Sequence, residues 1–412
     1  MRGGSHRSLD IRSQIRKISL LLATAFAAAV LFGAASQAQT LTVLHNFSDG
    51  SDGGMPYAGV TLDQQGRIYG TTTGGGGARY GNVYRLVHQG GSWVLTSLYT
   101  FQGTPDGYLP YGGVTFGPDG ALYGTTTYGG DVNQGTVFRL RPPANACAAA
   151  LCPWQETVIH NFGHVEDGDY PTYGNLTFDR AGNIYGTAVQ GGAHNDGVVF
   201  KLTPSGGGWS ESVLWNFTGG SDGAYPEAGV TFDSAGNLYG ATSYSQQGEG
   251  TVYELSPTQS GWTETTLYTF TPYDNGSGVG GLVFDRSGNL FGITGLQEGG
   301  VAYELTPLGQ SWNYTRLQVF NGGYPSPLAG PTFDAQGNLY GPLPSAGQAG
   351  VGEIFKLTAS GSGWDYSSYY DFFNGGGLAP IGAVTFDASG NMYGTSSEGG
   401  SQDHGTVWEI TP

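Results

Sequence analysis

The chain has 412 residues, of which 75 are Gly and 20 are Pro, so turn-forming residues make up almost a quarter of it. Aromatic residues contribute 13% and charged residues only 11%, which excludes a disordered tract, poor in aromatic surface, and a helical protein, rich in Ala, Leu, Glu and Lys at period 3.6. The formal net charge of −17 excludes nucleic acid and anionic lipid as partners, because such a surface repels polyanions.

Residues 1–38 read as an export signal. Arg2, Arg7, Arg12, Arg16 and Lys17 form a basic segment, residues 18–35 are apolar, and Ser36 and Ala38 place small side chains before Gln39. Cleavage after Ala38 leaves residues 39–412 as one domain with ten basic and 31 acidic residues, a formal charge of −21. No later apolar run follows, so the expectation is a secreted or periplasmic monomer that does not insert into a membrane. Cys147 and Cys152 lie in an Ala-rich insertion, 142–153. An oxidising compartment favours a local disulfide there, and a metal site would need more ligands than the segment offers.

In the mature chain a lone strand is predicted first, over 41–47 (LTVLHNF). A phrase then recurs seven times: GVTLDQQGRIYG from Gly59, GVTFGPDGALYG from Gly113, GNLTFDRAGNIYG from Gly174, GVTFDSAGNLYG from Gly229, GLVFDRSGNLFG from Gly281, GPTFDAQGNLYG from Gly330 and AVTFDASGNMYG from Ala383. Each copy divides into four short strands, A to D. In the fourth these are 229–233, 237–242, 250–255 and 262–270, separated by Gly, Pro and Ser turns. The Asp residues of the A-to-B turns (Asp63, Asp179, Asp233, Asp285, Asp334 and Asp387) are expected to bond turn N–H groups, with Gly taking the positive φ that closes the hairpin.

Four antiparallel strands repeated about every 53 residues predict an all-β, seven-bladed β-propeller. The chain opens with a D-type strand and closes with A, B and C strands, so strand 41–47 must complete the last blade and close the ring. Strand-A residues Phe116, Phe178, Phe232, Phe284, Phe333 and Phe386, with the strand-B tyrosines, are expected to pack between blades. His45 and His160 fall in an outer D-strand column with Tyr99, Trp215 and Tyr268 and read as rim packing.

The runs FDxxGNLYG and GTV[FY]xL and the closing Gly-Trp resemble the GloVer tandem repeat of secreted bacterial proteins with a choice of anchor, over essentially the whole mature chain. The resemblance implies architecture and export and carries no active-site residues. Ending at Pro412 after its last C strand, the chain departs from the anchored members, which favours release or periplasmic retention.

The D-to-A and B-to-C loops are expected on one face, where ligands bind propellers. Acids there include Asp49, Asp52, Asp106, Glu166, Asp167, Asp169, Asp222, Glu227 and Asp274. Repeated Asp-Gly pairs read as turn chemistry; the functional alternative is that Asp52, Asp106, Glu166, Asp167, Asp169, Asp222 and Glu227 bind sugar hydroxyls, or Ca²⁺ with loop carbonyls. No EF-hand loop occurs, and no metal ligands or cofactor are assigned. Tyr80, Tyr128 and Tyr244 break the repeat and offer platforms for sugar faces. His164, His194 with Asp196, and His404 with Asp403 are candidate bases, though blades three and seven lie across the channel from one another. The preferred function is binding of a polysaccharide or a secreted or cell-surface protein. The alternatives are a lyase or hydrolase acting on a glycan or cyclic peptide, and a non-catalytic structural envelope component.

Overall fold

A computed structural model describes residues 39–143, 154–163, 166–246, 248–274, 280–295, 300–320, 330–361, 363–373 and 376–412. The export signal, Cys147, Cys152 and His164 lie outside the described residues. The described strands, all between Thr40 and Thr411, form seven four-stranded antiparallel sheets and one short two-stranded sheet. The first blade runs Thr61–Leu62, Ile68–Thr72, Asn82–Gln89 and Ser92–Thr100, each strand pairing with the next. Strands of the second to sixth blades follow in the same order. In the seventh, Thr385–Phe386, Met392–Ser396 and Thr406–Thr411 are completed by Thr40–Asn46 from the start of the chain, and the ring closes as the strand phase predicts. No helix among the described residues is long and apolar enough to cross a membrane.

Strand B is wholly buried in every blade, because each blade presses both faces on its neighbours. Two rings of aromatic pairs fill the gaps. In the inner one a strand-B ring meets the next blade's strand-A Phe edge-on: Tyr69 on Phe116, Tyr123 on Phe178, Tyr185 on Phe232 and Tyr239 on Phe284, at 5.0–5.2 Å. In the outer one the Phe just past each D strand meets the next blade's strand-C ring, from Phe47 on Tyr84 (5.3 Å) through Phe217 on Tyr253 (5.0 Å) to Phe372 on Trp408 (5.4 Å). Tilted and edge-to-face geometry places ring edges against ring faces, as their quadrupoles prefer.

Hydroxyls tie the blades nearer the axis. The strand-A threonines Thr61, Thr177, Thr332 and Thr385 donate to the next blade's backbone at Val114, Val230, Val384 and Val60. The strand-B threonines Thr71, Thr187 and Thr395 donate to Gly112, Ala228 and Ala58. Thr385 and Thr395 span the seam between the last and first blades, so closure does not rest on strand pairing alone.

The A-to-B turns behave as expected. In Asp334, Oδ1 accepts the N–H groups of Gln336 and Asn338, while Oδ2 accepts Asn338 Nδ2 and Tyr340 Oη. One carboxylate thereby holds the turn and aims the strand-B tyrosine. Every C–D pair carries a bulge at the same place, between Val83 and Tyr84 in the first blade and between Val43 and His45 on the closing strand. A bulge bends its strand and re-aims the side chains beyond it.

Candidate functional site

The D-to-A and B-to-C loops share one face. They are stitched within blades by short antiparallel bridges: Gly54 to Gly74, Tyr108 to Tyr128, Ala224 to Tyr244, Leu378 to Glu398, and a two-stranded sheet of Gly168–Asp169 with Gln190–Gly191. Between blades a second contact repeats. Met55, Leu109, Tyr170, Tyr225 and Ala379 each take a left-handed φ of 52–59° directly before a proline. Each donates its N–H to the preceding blade's B-to-C loop, at His404, Tyr80, Gln134, Asp196 and Val351. Five non-glycine residues in a sparsely populated conformation show how firmly neighbouring blades set this loop.

The D-to-A carboxylates are engaged in holding their own loops. Asp52 accepts His45 Nε2 at 3.0 Å, Ser48 N at 3.1 Å and the Ser48 hydroxyl. Asp106 accepts Tyr99 Oη at 2.6 Å and Gln102 N at 3.0 Å. Asp222 accepts Trp215 Nε1 at 3.3 Å and Thr218 N at 3.0 Å, and Asp274 accepts Tyr268 Oη at 3.1 Å and Thr271 N at 2.8 Å. Asp167 accepts Gly163 N at 3.1 Å and lies 3.6 Å from His160 Nε2. The outer column of His45, Tyr99, His160, Trp215 and Tyr268 is therefore more than rim packing: in these five blades the strand end past the bulge presents one side chain to the loop aspartate. For Asp52, burial raises the pKa, but the bonds from Ser48 and His45 outweigh it and hold the carboxyl below its ordinary value.

Of the remaining predicted acids, Glu166 is exposed. Asp169 accepts Gln134 Nε2 at 3.0 Å, and burial with the charge of Asp167 raises its pKa. His194 is exposed, and His404 meets the next blade through its carbonyl. Among the described residues no group of three or more His, Cys, Asp or Glu side chains is arranged to hold a metal ion.

What the loops do bring together is tyrosine, over the first four blades. An outer tier runs Tyr80, Tyr108, Tyr128 and Tyr170, with centroids 5.1, 5.3 and 5.3 Å apart and the middle pair stacked at 20°. Tyr225 and Tyr244 follow at 6.1 Å, with Tyr244 44% exposed. An inner tier at the channel mouth runs Tyr57, Tyr111 and Tyr173, at 5.1 and 5.3 Å. Of these rings only Tyr80, Tyr128 and Tyr244 are apparent as breaks in the repeat. The others are marked in the sequence only by a tyrosine beside or near the proline ahead of strand A: Pro56-Tyr57, Tyr108-Leu109-Pro110-Tyr111, Tyr170-Pro171 and Tyr225-Pro226.

Glu227 takes the fourth place of the inner tier, one residue before Ala228, as Tyr57 stands before Ala58 and Tyr173 before Gly174. Ser243 Oγ donates to its Oε1 at 3.3 Å, and burial raises its pKa against that bond. Tyr173 is pushed up to about 12, by burial first and then by Tyr111 and the charge of Glu227. The inner-tier tyrosines ring a neck of about 30 Å³ bounded by Tyr57, Tyr111, Tyr173 and Asn175, with room for a single water. Below it a chamber of about 270 Å³ is lined by the starts of the strand-A segments, including Gly229, Gly281, Gly330 and Ala383. Glycine is required at this constriction: a Cβ on Gly59 would overlap the Ala383 carbonyl oxygen, and one on Gly330 the Gly281 carbonyl oxygen.

Solved structures with similar folds include the extracellular domain of a B. thetaiotaomicron protein described as a one-component system (11% identity, TM-score 0.52, covering 87% of this chain and 39% of that one). Others are a protein described as a gluconolactonase (12% identity, TM-score 0.45, 91% and 92%) and one from Bacteroides uniformis described as a 6-phosphogluconolactonase (15% identity, TM-score 0.48, 75% and 83%). At such identities the likeness shows the fold alone. No curated protein matches the chain in sequence. The profile of the Gloeobacter/Verrucomicrobia repeat matches residues 23–152, 150–322 and 245–412, and the chain belongs to that repeat family.

Proposed function

We propose that this protein is an exported binding module whose tyrosine arc takes a glycan. The observation that carries the reading is the continuous run of rings over the first three blades, with the Tyr225 and Tyr244 pair on the fourth, around a neck of about 30 Å³ at the channel mouth. Tyrosine supplies flat apolar faces for the C–H surface of a sugar and phenol groups that exchange hydrogen bonds with its hydroxyls. Tyr80, Tyr128, Tyr244 and Glu227 contact the sugar in this reading, with Tyr57, Tyr111 and Tyr173 beneath them. Asp52, Asp106, Asp167 and Asp222 act one step back, fixing the loops. Export fits the basic, apolar and small-residue order of residues 1–38, and cleavage after Ala38 would leave the closing strand, Thr40–Asn46, at the new N-terminus.

The test is a thermal-shift screen against a panel of glycans, with Ca²⁺ or EDTA added, since a ligand that binds only the folded state raises its melting temperature. A glycan-dependent rise that is smaller in Tyr128→Ala at the same glycan concentration supports the reading. A rise with Ca²⁺ alone, or none with any glycan, refutes it.

A further inference from the structure

The inner tier is bracketed by carboxyl groups. Glu227 occupies in the fourth blade the position that Tyr173 occupies in the third, and Glu398 stands three residues past Thr395, whose hydroxyl donates to the Ala58 carbonyl beside Tyr57 at 2.7 Å; burial and then the charge of Glu398 raise the pKa of Tyr57. Glu227 is a departure from the tyrosine that the first three blades place at this position. Among the described residues only Ser243 donates a hydrogen bond to it, on Oε1, which leaves Oε2 as an acceptor for a ligand. Glu398 is exposed at the tip of its B-to-C loop, and its backbone is set by paired bonds to Leu378 at 2.7 and 3.1 Å. Among the described residues neither acid forms an ion pair, and no Lys or Arg lines the neck between them.

Building on the glycan reading, we propose that the channel mouth accepts an uncharged, hydroxyl-rich sugar and rejects one that carries a carboxylate or sulfate, with Glu227 and Glu398 as the specificity-determining residues. Sugar hydroxyls donate to carboxylate oxygens, and charge-assisted bonds of that kind are stronger than neutral ones. An anionic sugar on the same rings meets two like charges in a half-buried site whose neck carries no Lys or Arg, inside the field of a strongly acidic protein. Specificity of this type comes from the repulsive element as much as from the attractive one.

The experiment is calorimetric titration with a matched pair of oligosaccharides, a neutral hexose oligomer and the same oligomer oxidised to the uronate at C6. The wild-type protein is compared with Glu227→Gln, Glu398→Gln and the double variant, each checked for an unchanged melting temperature. The wild type is expected to prefer the neutral oligomer by at least about tenfold at low salt, a preference that narrows in 0.5 M salt as the charges are screened. The double variant should bind the uronate about tenfold more tightly and the neutral oligomer about three- to tenfold more weakly, since the amides replace charge-assisted bonds by neutral ones, so that the preference for the neutral oligomer disappears. If the wild type binds both oligomers equally, and Tyr111→Ala weakens both, the charge selection is overturned and the glycan reading stands. An unchanged preference in the double variant overturns the assignment to these two residues. If the wild type binds neither oligomer, the glycan reading falls and the inference falls with it.

Discussion

Replacing Phe47 by Ala tests how the ring is sealed. Phe47 follows the closing strand and is fully buried, its ring 5.3 Å from Tyr84 of the first blade and 4.9 Å from His45, and its N–H donates to Gly405 O at 3.0 Å. Truncating a buried Phe to Ala costs about 3–5 kcal/mol, from lost transfer energy and the cavity left behind. A ring of roughly 370 residues unfolds with an entropy of about 0.8 kcal/mol/K, so a cooperative melt should shift down by about 4–6 °C. Differential scanning calorimetry of Phe47→Ala, Phe217→Ala and Phe373→Ala measures this. Phe217 is the equivalent residue between the third and fourth blades, fully buried against Tyr253, whereas Phe373 is 51% exposed and should shift the melt by less than about 1 °C. If Phe47→Ala melts with Phe373→Ala rather than with Phe217→Ala, the seam is not sealed by aromatic packing and this reasoning fails.

Stability should also depend on pH. Glu156 and Glu264 are pushed up to about 7, by burial and then, after a lowering bond from Thr266 in the case of Glu264, by the charges of Asp106 and Asp222. A carboxyl whose folded pKa lies above its ordinary 4.5 contributes stability that is full below that value and is lost as pH rises through 7. The urea midpoint should therefore fall between pH 5 and pH 8, and Glu156→Gln with Glu264→Gln should flatten the profile; an unchanged slope counts against buried acids there. Asp334→Ala removes the acceptor for four donors of one turn and should cost about 2 kcal/mol, with faster amide exchange at Gln336 and Asn338 as the local readout. Tyr128→Ala removes the ring stacked on Tyr108 and should weaken glycan binding about 3–10-fold, with a melting temperature close to wild type.

The propeller was legible because its determinants repeat in kind. The Phe of strand A, the tyrosine of strand B and the Asp of the turn recur in nearly every copy, and the odd strand at the start of the chain has only one vacancy to fill. The loop aspartates were harder to read, because their partners differ from blade to blade. A His, a Tyr or a Trp takes the same post behind a bulge that no sequence pattern announces, so the pairing of Asp52 with His45 and of Asp222 with Trp215 emerges only in three dimensions. The tyrosine arc was half visible for a related reason. Tyr57, Tyr111 and Tyr173 lie just ahead of the twelve-residue phrase and recur in three blades only, so they look like loop variation until the ring sets them side by side.

The central claim is that the tyrosine face of the first four blades is the binding surface. A crystal structure of the protein soaked with a neutral oligosaccharide that raises its melting temperature tests it most directly. The account predicts a sugar stacked on the rings of Tyr108 and Tyr128, with a hydroxyl about 3 Å from a carboxylate oxygen of Glu227. A sugar seated on the A-to-B turn face or along the outer D strands, with the tyrosine arc bare, would contradict it.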